Sequence, residues 1–328
     1  MEQILVALVK SIIVFLGLIL AAAYMTLTER KILGWMQARV GPNRVGPWGL
    51  LQPIADAVKA MFKEDAIPEG ADRFVFWLAP VIAVMTSMMT FAVIPVGPRL
   101  NIFGYPVDLQ VADVGVGVLV ILAVSSIGVY GVVLAGWSSN SKYSLLGSVR
   151  SSAQMVSYEL GMGLSILSVV ATVGSLRISD IVAFQSAVPI ALVQPLAFLL
   201  YTICAIAENN RPPFDLPEAE QELVQGYMTE YSGLKFAMFY LAEYVSMVTI
   251  SAVATTLFLG SYHGPVADGV WWFFAKMAVL LFGYVWLRAT LPRLRYDRLM
   301  RLGWQVILPV SLLNLVATVV VITTSVSS

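Results

Sequence analysis

Long runs of apolar residues alternate with short polar segments along most of this 328-residue chain. A helix of about 20 apolar residues crosses the ~30 Å hydrocarbon core of a bilayer. The pattern predicts eight transmembrane helices, at residues 4–27, 74–97, 111–136, 153–174, 188–207, 235–261, 268–289 and 303–325. We therefore predict an all-α integral membrane protein that forms a single membrane domain over residues 1–328.

The composition agrees with this class, because 59% of the residues are hydrophobic and only 12% are charged. A soluble domain of this length does not reach such values. The first apolar run is too long for a cleaved signal peptide, and its strongest positive charge, Arg30-Lys31, follows it rather than precedes it. We expect this segment to remain in the mature protein.

Basic residues predict the orientation of the helices. Most of the 20 Lys and Arg residues fall in alternate loops, at 30–73, 142–150, 211–235 and 288–301. Loops rich in Lys and Arg stay on the cytoplasmic side of a membrane. We therefore expect these loops to face the cytoplasm or matrix and both termini to face the outer, periplasmic side.

The first long inner loop contains an amphipathic segment at residues 47–63. Apolar residues recur there at helical spacing after two Gly-Pro pairs, at Trp48, Leu51, Ala55, Val58 and Phe62. Such a helix lies in the membrane interface. One interpretation is a simple anchor; the other is that the helix lines a lipid-facing entrance for an amphipathic substrate.

The inner loop at residues 208–234 is strongly acidic. Arg211 is its one Arg, and its six carboxylates are Glu208, Asp215, Glu218, Glu220, Glu222 and Glu230. Some of these carboxylates are explained as the start of a short helix at Asp215, where a negative charge complements the helix dipole. The excess charge beside a membrane favours proton or cation handling.

Two further carboxylates, Glu159 and Glu243, fall inside predicted spans. A charged residue at the centre of a bilayer costs about 2.5–3.5 kcal/mol on insertion scales. Each carboxylate is explained either by pairing with an Arg or by a place in a buried acidic path. Their similar depth, near helix ends that carry Glu29 and Glu208, favours the acidic path.

Several kinds of site are excluded by the residues present. The single cysteine, Cys204, excludes an internal disulfide and an iron–sulfur cluster held by this chain alone. The single histidine, His263, falls in a turn and is more typical of a solvated residue than of a metal ligand. No dinucleotide fingerprint or P-loop is present, and nothing indicates nucleic-acid binding. Any redox centre is expected in a partner or a diffusible substrate.

Three inner-loop motifs resemble a known family. They are ERKILGWMQARVGPNRVGP at 29–47, RPPFDLPEAEQEL at 211–223 and RATLPRLRYD at 288–297. They are similar to the signatures of the H subunit of proton-pumping NADH:quinone oxidoreductase, respiratory complex I, whose mitochondrial counterpart is subunit 1. The resemblance extends through essentially the whole chain.

The resemblance implies eight transmembrane helices and an interfacial helix, in a protein that forms the membrane side of a quinone chamber. Its motifs imply a quinone chamber and entrance at Arg30, Arg39, Asp56 and Phe214. They imply a proton path and coupling role for Glu29, Glu159, Glu208, Glu218, Glu220, Glu222, Glu230 and Glu243. Charge partners of the acidic loop would be Arg288, Arg293, Arg295 and Asp297.

The resemblance also implies cofactors, partners and location. Quinone, ubiquinone among the candidates, would be the substrate, while FMN and iron–sulfur clusters would lie in partner subunits. Soluble quinone-module subunits would dock on the inner side and small membrane subunits would lie beside the chain. The expected location is the bacterial inner membrane, or the mitochondrial inner membrane for an organellar protein.

Two alternatives remain from the sequence. A membrane subunit of a related hydrogenase-type complex would share the fold and differ in its soluble partner. A stand-alone H⁺- or Na⁺-coupled secondary transporter would use the carboxylates within the spans, although the chain shows no obvious inverted repeat.

Overall fold

The computed structural model describes residues 2–102, 105–215, 225–265 and 267–327. Its helices are α1 (Glu2–Met36), α2 (Gln52–Phe62), α3 (Arg73–Met89), α4 (Gly117–Ser138), α5 (Lys142–Val173), α6 (Ile178–Phe184), α7 (Ile190–Val193), α8 (Pro195–Glu208), α9 (Gly233–Phe258), α10 (Val270–Thr290), α11 (Tyr296–Arg301) and α12 (Leu308–Ser327). A π-helical turn, Leu302–Ile307, joins α11 to α12. Two short antiparallel strands, β1 (Leu100–Ile102) and β2 (Tyr105–Val107), form a hairpin that the apolar pattern did not predict.

Seven helical segments of the described chain are long and apolar enough to cross a membrane. They are Val6–Met36, Arg73–Val93, Gly117–Ser138, Lys142–Val173, Gly233–Phe258, Val270–Thr290 and Tyr296–Thr324. The prediction of an all-α protein with long, apolar helices that could cross a membrane is therefore confirmed.

The remaining predicted span, 188–207, is not one continuous helix. It is divided into α7 and α8, and Pro195 occupies the first turn of α8, where its missing N–H costs nothing. The 14 residues of α8 extend about 21 Å at 1.5 Å per residue, less than the thickness of a hydrocarbon core.

The helix ends gather at two opposite ends of the bundle. At one end, the backbone N–H of Asp72 before α3 donates to the carbonyl of Ser138 at the end of α4 (3.1 Å). At the other end, Lys10 in α1 donates to the carbonyl of Gln110 (3.3 Å). The basic loops and the described parts of the acidic loop, residues 208–215 and 225–234, lie at the first end.

Helices α3 and α4 pack closely through small residues. The Cα of Gly131 lies so near α3 that an added Cβ would meet the backbone N of Ala83 at 3.1 Å and the carbonyl of Ala79 at 3.2 Å. Small residues allow this approach of two helical backbones within a membrane. The larger core surrounds α5, α8 and α9, where the hydroxyl of buried Tyr201 donates to the carbonyl of Ile250 (3.0 Å).

The amphipathic segment forms α2, preceded by a tight turn. Gly49 has a positive φ of 77°, and a Cβ there would lie 2.3 Å from the carbonyl of Pro42, so the turn requires glycine. Lys31 holds the turn by donating to the carbonyl of Trp48 (2.5 Å). Several apolar side chains of α2 are exposed at the protein surface, among them Ile54, Met61 and Phe62.

Candidate functional site

The centre of the candidate site is Arg211, in the loop that follows α8. Its Nη1 donates to both carboxylate oxygens of Glu29 (2.9 and 3.1 Å), near the inner end of α1. Its Nε lies 2.6 Å from Oε1 of Glu243 in α9. The guanidinium is also 4.5 Å from the ring centroid of Tyr244. One buried cation therefore joins two carboxylates that are distant in sequence.

A second cation completes the cluster, because Arg288 at the end of α10 contacts Glu29. Two carboxylates and two guanidinium groups thus face one another. Burial disfavours the charged form of Arg211, but the carboxylates of Glu243 and Glu29 outweigh this and raise its pKa well above the usual value. The planar, multidentate guanidinium suits such a buried pair better than a lysine ammonium does.

A cavity of about 110 Å³ lies beside the cluster, between α3, α4, α5, α8 and α9. Glu208 and Glu243 both line it, together with Asn209 and Asn210. Glu208 is buried and its Oε2 has no hydrogen-bond partner among the described residues. A buried carboxyl oxygen without a hydrogen-bond partner is costly, which makes Glu208 a candidate functional residue.

Glu159 in α5 interacts electrostatically with Glu208. Its carboxylate accepts a hydrogen bond from Ser126 of α4, and Ser125 lies 3.5 Å away. The side chain is half-buried. Glu159, Glu208 and Glu243 therefore lie around one region of the bundle, whereas Glu29 reaches it through Arg211.

The inner rim is also charged. Arg293 Nη2 lies 3.0 Å from Oδ2 of buried Asp215, so a cation of the last inner loop does meet the acidic loop. Arg295 instead lies 3.5 Å from Asp297, and both are exposed. Glu230 is half-buried. The predicted residues Glu218, Glu220 and Glu222 lie outside the described residues.

The four residues predicted for the quinone chamber fall in three places. Arg30 Nη1 donates to Asp56 Oδ2 (2.8 Å), which ties α1 to α2. Arg39 is exposed and donates to Gln37 (2.7 Å). Phe214 is buried, with its ring centroid 5.6 Å from that of Tyr158. The structure therefore brings Arg30 and Asp56 together and leaves Arg39 and Phe214 apart from them.

Sequence reasoning did not identify the contacts of Arg211, those of Asn209 and Asn210, or those of Lys235, which lies outside the site near the end of α2. Arg211 stands out in the sequence only as the single cation among carboxylates, a signal that is sufficient to suggest pairing. Asn209 and Asn210 beside Glu208 give only a turn signal. Lys235, counted among inner-loop charges, is buried, with its Nζ 2.9 Å from Asp65 and 4.2 Å from the ring centroid of Trp77.

The cluster provides charge and proton chemistry. Its acid groups lie within reach of a cavity, and its two guanidinium groups form ion pairs with Glu29 and Glu243. Among the described residues no group of three or more His, Cys, Asp or Glu side chains is arranged to hold a metal ion.

Comparison with known proteins places these residues in a family. The family profile described as NADH dehydrogenase matches residues 9–319. Over 326 residues the chain is 56% identical to the second H subunit of NADH-quinone oxidoreductase from Geobacter metallireducens, covering 95% of this chain and 94% of the relative. It is 55% identical to the first H subunit of the enzyme from Geobacter sulfurreducens, with the same coverage. It is 54% identical over 312 residues to the H subunit from Thermomicrobium roseum, covering 92% of this chain and 91% of the relative.

Proposed function

The chain belongs to the family of the H subunit of NADH-quinone oxidoreductase, and from this premise we propose that it forms the membrane side of the quinone-binding chamber and couples quinone reduction to proton translocation. It is a subunit of an enzyme, and in our proposal it carries no redox centre. Electrons reach quinone from an iron–sulfur cluster in a partner, and the flavin also lies in a partner.

The observation that carries the proposal is the buried bridge of Arg211 between Glu29 and Glu243. Glu29 precedes Arg30, which binds Asp56 of the amphipathic helix, so one end of the bridge adjoins the proposed quinone entrance. The other end, Glu243, lines the cavity. A change of charge near Glu29 alters how strongly Arg211 holds Glu243, because one guanidinium serves both carboxylates.

The cavity extends this connection into the bundle. From Glu243 the acidic groups continue to Glu208, which lines the same cavity, and then to half-buried Glu159, which interacts electrostatically with Glu208. A cavity of about 110 Å³ has room for several water molecules, since one water needs about 10–15 Å³ on this measure. Protons transfer along such carboxylates and waters toward the adjacent membrane subunits.

Helix α2 forms the proposed entrance for a lipid-soluble quinone. Its exposed apolar side chains suit the membrane interface, and the Arg30–Asp56 pair fixes the helix against α1. In this arrangement α8 is the eighth crossing, made possible because its short length is covered by neighbouring helices. Both termini then face the outer side, and the location is the bacterial inner membrane.

The positions of the other subunits follow from this orientation in the membrane. Other subunits of the enzyme cover the inner rim at Arg293, Asp215 and the acidic loop, while small membrane subunits lie against α4 and α5. A lone transporter is less well supported, because the named relatives are all subunits of NADH-quinone oxidoreductase.

The test compares three activities in membranes that contain equal amounts of assembled complex. Glu243→Gln and Glu159→Gln keep the side-chain shape and remove the titration. We expect both to lower quinone-linked NADH oxidation and proton pumping by about tenfold or more, with NADH oxidation by an artificial acceptor unchanged. Asp108→Asn, in an exposed ion pair with Arg99 at the other end of the bundle, is the control. Wild-type pumping in both Gln variants would refute the coupling role.

A further inference from the structure

A second cavity, of about 440 Å³, opens at the surface between the first turn of α3 and the last turn of α4. Its lining includes Asp72, Leu134, Trp137 and Asn140, and it shares no described lining residue with the cavity beside Arg211. The volume is within the range of small-molecule sites. Both helices are long enough to cross a membrane, and one begins and the other ends here, so the cavity lies at the level of the lipid headgroups.

The carboxylate of Asp72 is fixed in place at this cavity. Its Oδ1 accepts hydrogen bonds from the backbone N–H groups of Phe74 (3.1 Å) and Val75 (3.3 Å), whereas no described residue hydrogen-bonds to its Oδ2. The backbone N–H of Asp72 donates to the carbonyl of Ser138 (3.1 Å), which joins the two helix ends. One carboxylate oxygen therefore orients the side chain and the other is available to a ligand.

An amide group is held beside this carboxylate. A Cβ added at Gly70 would lie 2.6 Å from Nδ2 of Asn140, so any larger residue there would displace the amide from the cavity wall. Asn140 follows the end of α4 with a positive φ of 49°, a conformation that Asn tolerates better than most residues. The cavity thus contains a negatively charged acceptor and an amide donor close to each other.

The surface around the cavity is aromatic and apolar. The rings of Trp137, which lines the cavity, and of Phe74, in the first turn of α3, are 71% and 75% exposed. Trp side chains are typical of the boundary between headgroups and hydrocarbon. Deeper in α4, the exposed side chains of Ile127 and Tyr130 continue the line of Leu134 and Trp137 at helical spacing. An acyl chain can lie along this line, which leads out of the cavity.

We propose that this cavity binds the headgroup of a phospholipid that carries a primary ammonium group, such as phosphatidylethanolamine. Oδ2 of Asp72 accepts N–H bonds from the ammonium, and Nδ2 of Asn140 donates to the phosphate. The indole of Trp137 favours the same cation. A choline headgroup has no N–H to donate, and an anionic headgroup without an amine is repelled by the carboxylate. The proposal does not depend on the quinone coupling, because the two cavities are separate.

The experiment labels the intact purified complex with photoactivatable phosphatidylethanolamine or phosphatidylcholine and maps the cross-links to α4 by peptide mass spectrometry. Asp72→Asn removes the charge and keeps the helix cap, since Asn caps a helix as well as Asp does. Asn140→Gly removes the amide at a position whose positive φ glycine accepts readily. We expect the unmodified complex to prefer phosphatidylethanolamine, and each variant to weaken this labelling by about tenfold, the effect of losing a hydrogen bond to a charged group.

The matched control is Glu69→Gln, an exposed carboxylate of the same loop outside the cavity lining, which should be labelled like the unmodified complex. Equal labelling of the unmodified complex by the two lipids would overturn the proposal, and so would an unchanged preference in Asp72→Asn. Loss of a neighbouring membrane subunit from the Asp72→Asn complex, with no lipid cross-link to α4 in the unmodified one, would also overturn it. That result would assign the cavity to a basic side chain of the neighbouring subunit.

Discussion

Nη1 of Arg211 lies 2.9 Å from Oε1 of Glu29, although the two residues are 182 positions apart in the chain. The contact fastens the loop after α8 to the inner end of α1. Both side chains are almost fully buried, at 6% and 4% exposed. Removal of one partner from a buried pair costs about 3–5 kcal/mol, since the other charge is left without compensation.

Arg211→Lys tests whether the bridge requires a guanidinium. Lysine keeps the charge but has a single nitrogen, which cannot occupy both the position of Nη1 at Glu29 and that of Nε at Glu243. We expect assembled complex with quinone-linked activity reduced by about tenfold. The measurement is NADH:quinone activity per assembled complex, quantified on native gels. Arg295→Lys, in an exposed pair, is the control; equal activity of the two variants would contradict the bridging role.

The proposed entrance is tested by Ala55→Trp on α2. A bulky ring on this helix should obstruct a long isoprenoid tail that enters from the lipid more than a short, water-soluble quinone. We expect the KM for long-tailed quinones to rise severalfold while that for short quinones changes little. Kinetics with both kinds of quinone on the same membranes decide the matter. Equal losses for both would assign α2 to anchoring alone.

At the outer end of the bundle, Asp113 forms a pH-dependent contact. Arg177 donates to its carboxylate (Nε to Oδ1, 3.1 Å), and this hydrogen bond lowers the pKa of Asp113 despite partial burial. A lowered folded-state pKa means that the stabilisation is present above the ordinary Asp value of about 3.9 and is lost as pH falls through the folded-state pKa. Asp113→Asn should therefore destabilise the protein at neutral pH and flatten the acid dependence of its thermal unfolding. If the variant and the unmodified protein show the same pH dependence of thermal unfolding, the Arg177–Asp113 contact does not contribute to stability.

The close packing of α3 and α4 is tested by Gly131→Val. The new side chain would meet backbone atoms of Ala79 and Ala83, which cannot move aside as a flexible side chain does. We expect the free energy of unfolding to fall by about 1–3 kcal/mol, which would lower the midpoint of thermal unfolding. Gly163→Val, at an open position of α5, should have a much smaller effect. A similar loss at both positions would indicate helix propensity rather than packing as the cause.

The sequence predicted the long helices well because apolar run length is a local property. The resemblance to the H subunit of complex I is confirmed by relatives that cover almost the whole chain. The break before Pro195 was missed because residues on both sides of it are apolar, so the run appears continuous while Gln194 interrupts the helix. Proline in a helical pattern was the available signal.

Side-chain partners were harder to predict than helices, because they depend on tertiary contacts. Glu243 is recognisable in the sequence as an unusual carboxylate, yet the choice between an Arg partner and a proton path could not be made from spacing. In the structure it has the Arg partner and also lines the cavity. The two interpretations are therefore compatible. The roles of the predicted site residues stay predictions.

Lys235 and Ser232 connect the residues after α2 to the start of α9. The ammonium of Lys235 lies 2.9 Å from Asp65, just beyond the end of α2. The hydroxyl of Ser232 accepts a hydrogen bond from the backbone N–H of Ala66 (3.0 Å) and donates one to the carbonyl of Glu64 (3.1 Å). These contacts tether the amphipathic helix to the first turn of α9, the helix that carries Glu243. Because these contacts join the residues after α2 to the start of α9, we expect a movement of α2 in the membrane interface to displace α9 and, with it, Glu243.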